Sequence, residues 1–234
     1  MPPALEKSLA SPSSRLVERI LTLSESYPRL RFMRDGKRTE ASVEIARGQI
    51  TDIRGQDENA PVAVPTDAGV IVEPNREVGT DKMVGCATLI ISHPKGKLFA
   101  HLTPTHRLAY MSWDQNKDEC NETTIASIIA SLKEAGLPLE ECSGAIIGNV
   151  GTASGKFKHE RLLTIWRDMG DRLSKVGLAS WNIIAAPLDE TIVFSTPDKA
   201  SKVLVMGRPA HVNEEGWFEV DKRNTEERWI ELTG

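Results

Sequence analysis

The sequence predicts an α+β fold, a layered mixed β-sheet core flanked by helices. Three observations point there. Apolar strand-like runs come in clusters instead of alternating regularly with helices, which argues against repeated βαβ winding. Two long segments carry helical periodicity and lie between those clusters. Finally, 40% hydrophobic residues in 234 supply enough apolar material for one sizeable core.

Residues 1–15 are rich in Pro and Ser, a composition expected to be disordered. Leu16–Leu23 places apolar residues at helical spacing, which predicts a short amphipathic helix before Pro28. From Arg34 to Asp67 the chain is polar and broken by Gly and Pro, with short strand-like pieces at Ser42–Ala46 and Val62–Val64. On this reading residues 1–67 are an N-terminal extension, partly disordered with one short helix, and residues 68–234 are the main domain.

The pattern tightens from Ala68. Val70–Val72 reads as a strand, followed by a turn at Glu73-Pro74-Asn75. Val84–Ser92 is an apolar, β-branched run that ends in His93-Pro94-Lys95-Gly96, and Lys97–Thr103 returns as a second strand. Together they predict a β-hairpin. Glu122–Ala135 sets Ile125, Ile128, Ile129 and Leu132 on one helical face and stops at Gly136. Ser143–Val150 is an apolar strand leading into a glycine-rich loop, and Lys158–Val176 is a second amphipathic helix ending at Gly177. Further strands are expected at Ser180–Ala186, Thr191–Ser195 and Lys202–Val205, with edge strands at Trp217–Val220 and Arg228–Leu232.

Composition excludes some functions. A formal net charge of −4 gives no electrostatic footprint for nucleic acid or for an anionic membrane surface. No apolar run approaches the length of a membrane span. The start, Met1-Pro2-Pro3-Ala4-Leu5-Glu6-Lys7, lacks the features of a secretory signal. The three cysteines, Cys86, Cys120 and Cys142, are too few and oddly numbered for a disulfide framework. They read as reduced thiols in a reducing, cytoplasmic setting, and export by a route without a cleavable signal fits equally.

The chemistry centres on the hairpin. Period-2 alternation puts Val84, Cys86, Thr88 and Ile90 on one face of the first strand, and Phe99 and His101 on one face of the second. Turning around Pro94–Gly96 makes Cys86 and His101 cross-strand neighbours. An imidazole there can take the thiol proton, and the thiolate is the competent nucleophile. Gly85 removes bulk before the cysteine, so backbone N–H groups there can serve as an oxyanion site. Thr80, on the approach to the strand, offers a hydroxyl to hold the imidazole in one tautomer.

Other readings stand beside this one. Cys86 and His101 can both be core residues, since cysteine is among the most buried residue types. A metal site of Cys86, His101 and His106 lacks a fourth ligand, so neither a metal nor a cofactor is expected. Gly148–Gly155 reads as a strand-to-helix loop on the rim of the site, which brings in Asn149 and Gly151. His106, Tyr110, Trp113 and Asp114 follow His101 and suit a protein-substrate groove or plain packing. Cys120 and Cys142 have no histidine at a useful spacing and read as structural.

The run Thr80-Asp81-Lys82-Met83-Val84-Gly85-Cys86, the apolar strand Ala87–Ser92, and Ala100-His101-Leu102-Thr103-Pro104 resemble the chemoreceptor glutamine deamidases, the CheD family. That family has a threonine six residues before its cysteine and a histidine in an Ala-His-hydrophobic-x-Pro context. The resemblance covers roughly residues 68–206. The interval from Cys86 to His101 is also similar to that of deamidating toxins of the cytotoxic-necrotizing-factor type. The chain departs from both in carrying Val84-Gly85-Cys86, where they have Gly-Ser-Cys or Ser-Gly-Cys.

The resemblance implies a sandwich-like catalytic domain with Cys86 as nucleophile, His101 as base and acid, and Thr80 as the orienting group. It implies a protein substrate whose glutamine side chain becomes glutamate through a thioester, without a cofactor. The departures suit a divergent member, such as an effector or toxin acting inside a host cell. Two alternatives are a Cys-His amidase or transglutaminase with another substrate, and a noncatalytic protein of the same fold that docks a signalling partner.

Overall fold

A computed structural model of the chain describes residues 45–56, 62–83, 86–103, 117–149, 159–186, 188–195, 202–212, 218–220 and 226–232. The helix expected at Leu16–Leu23, the loop carrying His106, Tyr110, Trp113 and Asp114, and the two glycines Gly85 and Gly151 lie outside these residues.

The described residues form an α+β fold of three layers. The first sheet contains β1 (Ile50–Asp52), β3 (Ala68–Val72), β5 (Ala87–His93), β6 (Gly96–Leu102), β7 (Ser143–Asn149) and β8 (Ser180–Ala186), in the order β1-β3-β6-β5-β7-β8. The second contains β2 (Val62–Ala63), β4 (Val78–Met83), β9 (Leu188–Ser195), β10 (Lys202–Val212) and β11 (Phe218–Val220), in the order β11-β10-β9-β4-β2, and β12 (Glu226–Glu231) pairs with β10. Both sheets are mixed, with parallel pairs β1–β3, β7–β8 and β2–β4 among antiparallel ones. Two helices, α1 (Lys117–Glu134) and α2 (His159–Lys175), cover the outer face of the first sheet.

Strand alternation sorts the side chains into two cores. Leu89, Ile91, Leu98, Ala100 and Leu102 face the helices, meeting Ile128, Leu132, Trp166, Met169 and Leu173. Val70, Val72, Ile90 and Phe99 face the other way and meet Val78, Val193, Val203 and Val205 of the second sheet. Burial on both faces explains why these strands read as nearly continuous apolar runs. Both helices stop where their apolar pattern stops. Gly136 (φ 68°) and Gly177 (φ 116°) turn left-handed, and the next residues, Leu137 and Leu178, donate back to Leu132 and Leu173 carbonyls.

The hairpin expected around Pro94 is present, with His93 paired to Gly96 across a two-residue turn. Several boundaries differ from the sequence reading, the end of β10 at Val212 instead of Val205 among them. Helix α1 begins at Lys117, five residues before the expected Glu122, because the polar first turns carry no apolar period to announce them. The layered core also reaches back beyond residue 68. β1 pairs with β3, β2 pairs with β4, and Ile45, Ile53, Val62 and Val64 are buried between the sheets.

Candidate functional site

On β6, Lys97, Phe99 and His101 alternate with Leu98, Ala100 and Leu102, which point to the helices. His101 therefore projects into the interface between the two sheets, where it is 1% exposed. Cys86 immediately precedes β5 and packs in the same inter-sheet core as Ile90 and Phe99. Sequence alone made Cys86 and His101 roughly cross-strand neighbours, and the register sets them one step apart on the same face. Thr88 stands opposite His101 and Ala87 opposite Leu102. Continuing the ladder by one pair sets Cys86 against Thr103 and diagonal to His101. Such diagonal neighbours lie roughly 7–8 Å apart at Cα, within reach of longer side chains.

Thr80 is corrected more substantially. It does not lie on the approach to the hairpin, because Val78–Met83 is a strand of the opposite sheet, paired with β9 at Thr80–Val193. From there its hydroxyl crosses the interface. Thr80 Oγ1 is 2.7 Å from His101 Nδ1 and donates to the Val64 carbonyl at 2.8 Å.

This pair of contacts fixes the ring. A hydroxyl has one proton, and the Val64 carbonyl can only accept it. Thr80 must then accept from Nδ1–H, which leaves the lone pair of His101 on Nε2. That nitrogen is buried and has no hydrogen-bond partner among the described residues. Burial pushes the imidazole down to about 4, against a pull upward from Asp67, with Arg47 pushing it further down. At neutral pH the ring is a neutral acceptor held in one tautomer, on the face that the Cys86 thiol shares. Such an arrangement can accept a proton from a nucleophile and later return it to a leaving group.

The remaining residues separate from this centre. Cys86 and Cys142 are thiols and not half-cystines. The Cys142 Sγ donates to the Pro138 carbonyl at 3.3 Å, and burial with help from Glu140 and Glu141 pushes it up to about 11. It is a poor nucleophile. Asn149 ends β7, paired with Ala186, so its backbone reaches the last rung of the first sheet. No group of three or more His, Cys, Asp or Glu side chains that could hold a metal occurs among the described residues. No helix among them is long and apolar enough to cross a membrane.

Two polar residues of the interface escaped the sequence reading. Asp67 precedes β3 with φ 58° and is 8% exposed, and its Oδ1 accepts from Thr103 Oγ1 at 2.6 Å. The signal available for it was an aspartate just before a strand. Lys97 is buried at the other end of β6, where its amine donates to Ser195 Oγ at 2.5 Å and to the Arg76 carbonyl at 3.3 Å. Nothing in the local sequence distinguishes it from a solvated lysine after a turn.

No family model and no curated protein matches the chain. Among solved structures it is similar to the C-terminal domain of CNFy from Yersinia pseudotuberculosis, at a TM-score of 0.34 and 11% identity over 77% of this chain. The chain spans 63% of the length of that domain.

Proposed function

We propose that the chain is a cysteine-dependent protein glutamine deamidase, with Cys86 as nucleophile, His101 as base and acid, and Thr80 as the orienting group. One observation carries the reading: Thr80 pins Nδ1 from the opposite sheet and leaves Nε2 as a buried acceptor, without a partner among the described residues, on the face shared with Cys86. A histidine that served only the core would be expected to satisfy both nitrogens. The choice of a glutamine carboxamide rests on the sequence resemblance around Thr80, Cys86 and His101.

In this reading Nε2 takes the thiol proton as Sγ attacks the carboxamide carbon. The tetrahedral intermediate collapses, the imidazolium protonates the departing ammonia, and a thioester remains. Water, deprotonated by Nε2, attacks the thioester carbonyl and releases glutamate and the Cys86 thiol. Gly85, with Asn149 and Gly151 on the rim, supplies backbone donors for the oxyanion. The chemistry needs a reduced Cys86, which suits a bacterial cytoplasm or the interior of a host cell.

A noncatalytic docking protein is the second reading, and the 7% exposure of Cys86 favours it. Incubating a protein lysate with wild type and with Cys86→Ala separates the two, with ammonia release and peptide mass spectrometry as readouts. Wild type alone is expected to release ammonia and convert specific glutamines to glutamate. Unchanged glutamines with both proteins, alongside a thiol at Cys86 no more reactive than Cys142, would establish the docking reading instead.

A further inference from the structure

His101 is a weak base in its burial site, and the imidazolium formed during catalysis needs a counter-charge. Thr80 offers only a neutral oxygen. The groups that face His101 among the described residues come from four elements. They are Thr80 on β4, Cys86 before β5, Asp67 before β3, and Arg47 in the segment ahead of β1. Asp67 is the anion in this set.

Its geometry is specific. The Asp67 N–H donates to the His101 carbonyl at 2.9 Å, and the next residue, Ala68, is the ladder partner of His101. The Asp67 carboxylate then turns along the end of β6. Its Oδ1 accepts from Thr103 Oγ1 at 2.6 Å and from the Thr103 N–H at 3.3 Å. Thr103 is the residue that stands against Cys86 when the hairpin ladder is extended. The carboxylate is therefore fixed at the end of β6 that carries His101, in a site where low polarisability strengthens its field. Its left-handed backbone (φ 58°) is a conformation that Asp and Asn tolerate better than most residues.

We propose that Asp67 is a positioning residue for His101: its carboxylate, clamped at the end of β6 by Thr103, favours the imidazolium that forms when Nε2 takes the Cys86 proton. This deepens the cysteine-hydrolase reading and rests on it for its role in turnover. The field of Asp67 opposes both burial and the exposed Arg47, which push the imidazole the other way.

Asp67→Asn tests the charge, because asparagine keeps an acceptor for Thr103 and tolerates the backbone. Asp67→Gly is the second variant, equally free of charge and suited to a positive φ. Two signals are read against pH: the ¹⁵N shifts of the His101 ring, and the rate of Cys86 alkylation by iodoacetamide. Both variants are expected to show a smaller imidazolium fraction at any acidic pH. Alkylation near neutral pH is expected to slow about 3- to 10-fold, as a midpoint lower by half a unit to one unit requires. Thr103→Val removes the hydroxyl clamp but keeps the charge, and it is expected to retain most of the wild-type imidazolium fraction. If Asp67→Asn titrates and reacts like wild type, the carboxylate serves only to shape the strand end and the proposal is overturned. Indifference of Cys86 to His101→Gln would instead count against the underlying cysteine-hydrolase reading, while the ring shifts still report the Asp67–His101 coupling.

Discussion

The two ends of β6 present the same device to the second sheet. At one end His101 meets the hydroxyl of Thr80 on β4, and at the other Lys97 meets the hydroxyl of Ser195 on β9. Both bases are buried, and burial lowers both, His101 to about 4 and Lys97 to about 8. They differ in what is left over. The Lys97 amine is engaged by Ser195 and by the Arg76 carbonyl. His101 keeps an Nε2 without a partner among the described residues, on the face that Cys86 shares. A depressed base is thus not by itself a sign of chemistry. The informative feature is a lone pair without a partner among the described residues, on the same face as a thiol.

Replacing His101 is expected to break this contrast most severely. In His101→Gln, glutamine deamidation is expected to fall about 10²- to 10⁴-fold, the usual worth of a positioned general base. The same variant has a stability signature. The unfolded chain takes up a proton near 6.5 and the folded one near 4. Wild type is therefore fully stable, as far as this group is concerned, above pH 6.5, and loses stability as pH falls from there toward 4. The loss is on the order of 3 kcal/mol, and His101→Gln is expected to lack it in urea titrations. A variant that keeps the wild-type acid slope would show that His101 is not the group responsible.

These two ends were not equally legible in the sequence. The hairpin was, because Pro94 and Gly96 mark a turn and apolar alternation on either side fixes which residues share a face. That local logic placed Cys86 and His101 on one side of one sheet. Thr80 was recognised as a partner through its spacing from Cys86, yet its strand was not. Val78-Gly79-Thr80-Asp81-Lys82-Met83 has a glycine and two charged residues where a strand pattern needs apolar ones, and it is completed by pairing with the distant β9. The short strand β1 failed for the same reason, having too few residues to show a period, whereas β2 falls within the strand-like piece read at Val62–Val64. Lys97 and Asp67 illustrate the harder limit. Each is polar locally and buried only because another part of the chain closes over it, so no window of sequence contains the cause.

The Lys97 end is expected to respond to alkali. Its folded midpoint of about 8 lies below the ordinary 10.5, so the unfolded chain holds the proton more tightly. Stability referable to this group is fully present above pH 10.5 and is lost as pH falls through 8. Between those values wild type is expected to gain on the order of 3 kcal/mol relative to Lys97→Met, read from urea midpoints at matched pH. Deamidation measured at pH 7 is expected to be little affected, which separates a structural base from a chemical one. A large loss of activity in a folded Lys97→Met would erase the distinction between the two ends.

The smallest effect sharpens the comparison best, because it alters one hydrogen bond. Thr80→Val keeps the shape of the side chain but leaves His101 Nδ1–H and the Val64 carbonyl without their shared partner. Leaving buried polar groups unpaired costs about 1–3 kcal/mol, and Thr80→Ser should recover most of it. The more telling readout is the tautomer. With the hydroxyl present, Nδ1 carries the proton and Nε2 is left as an acceptor on the face that Cys86 shares. With valine, the ring gains nothing by keeping that assignment, and ¹⁵N shifts should reveal a population protonated at Nε2. Cys86 alkylation should slow in proportion to that population, and serine should restore both signals. If the valine variant loses stability yet keeps a single Nδ1–H tautomer and an unchanged alkylation rate, then Thr80 serves His101 as Ser195 serves Lys97, as a structural partner for a buried base. The orientation of Nε2 would then have to come from the strand end around Asp67 and Thr103.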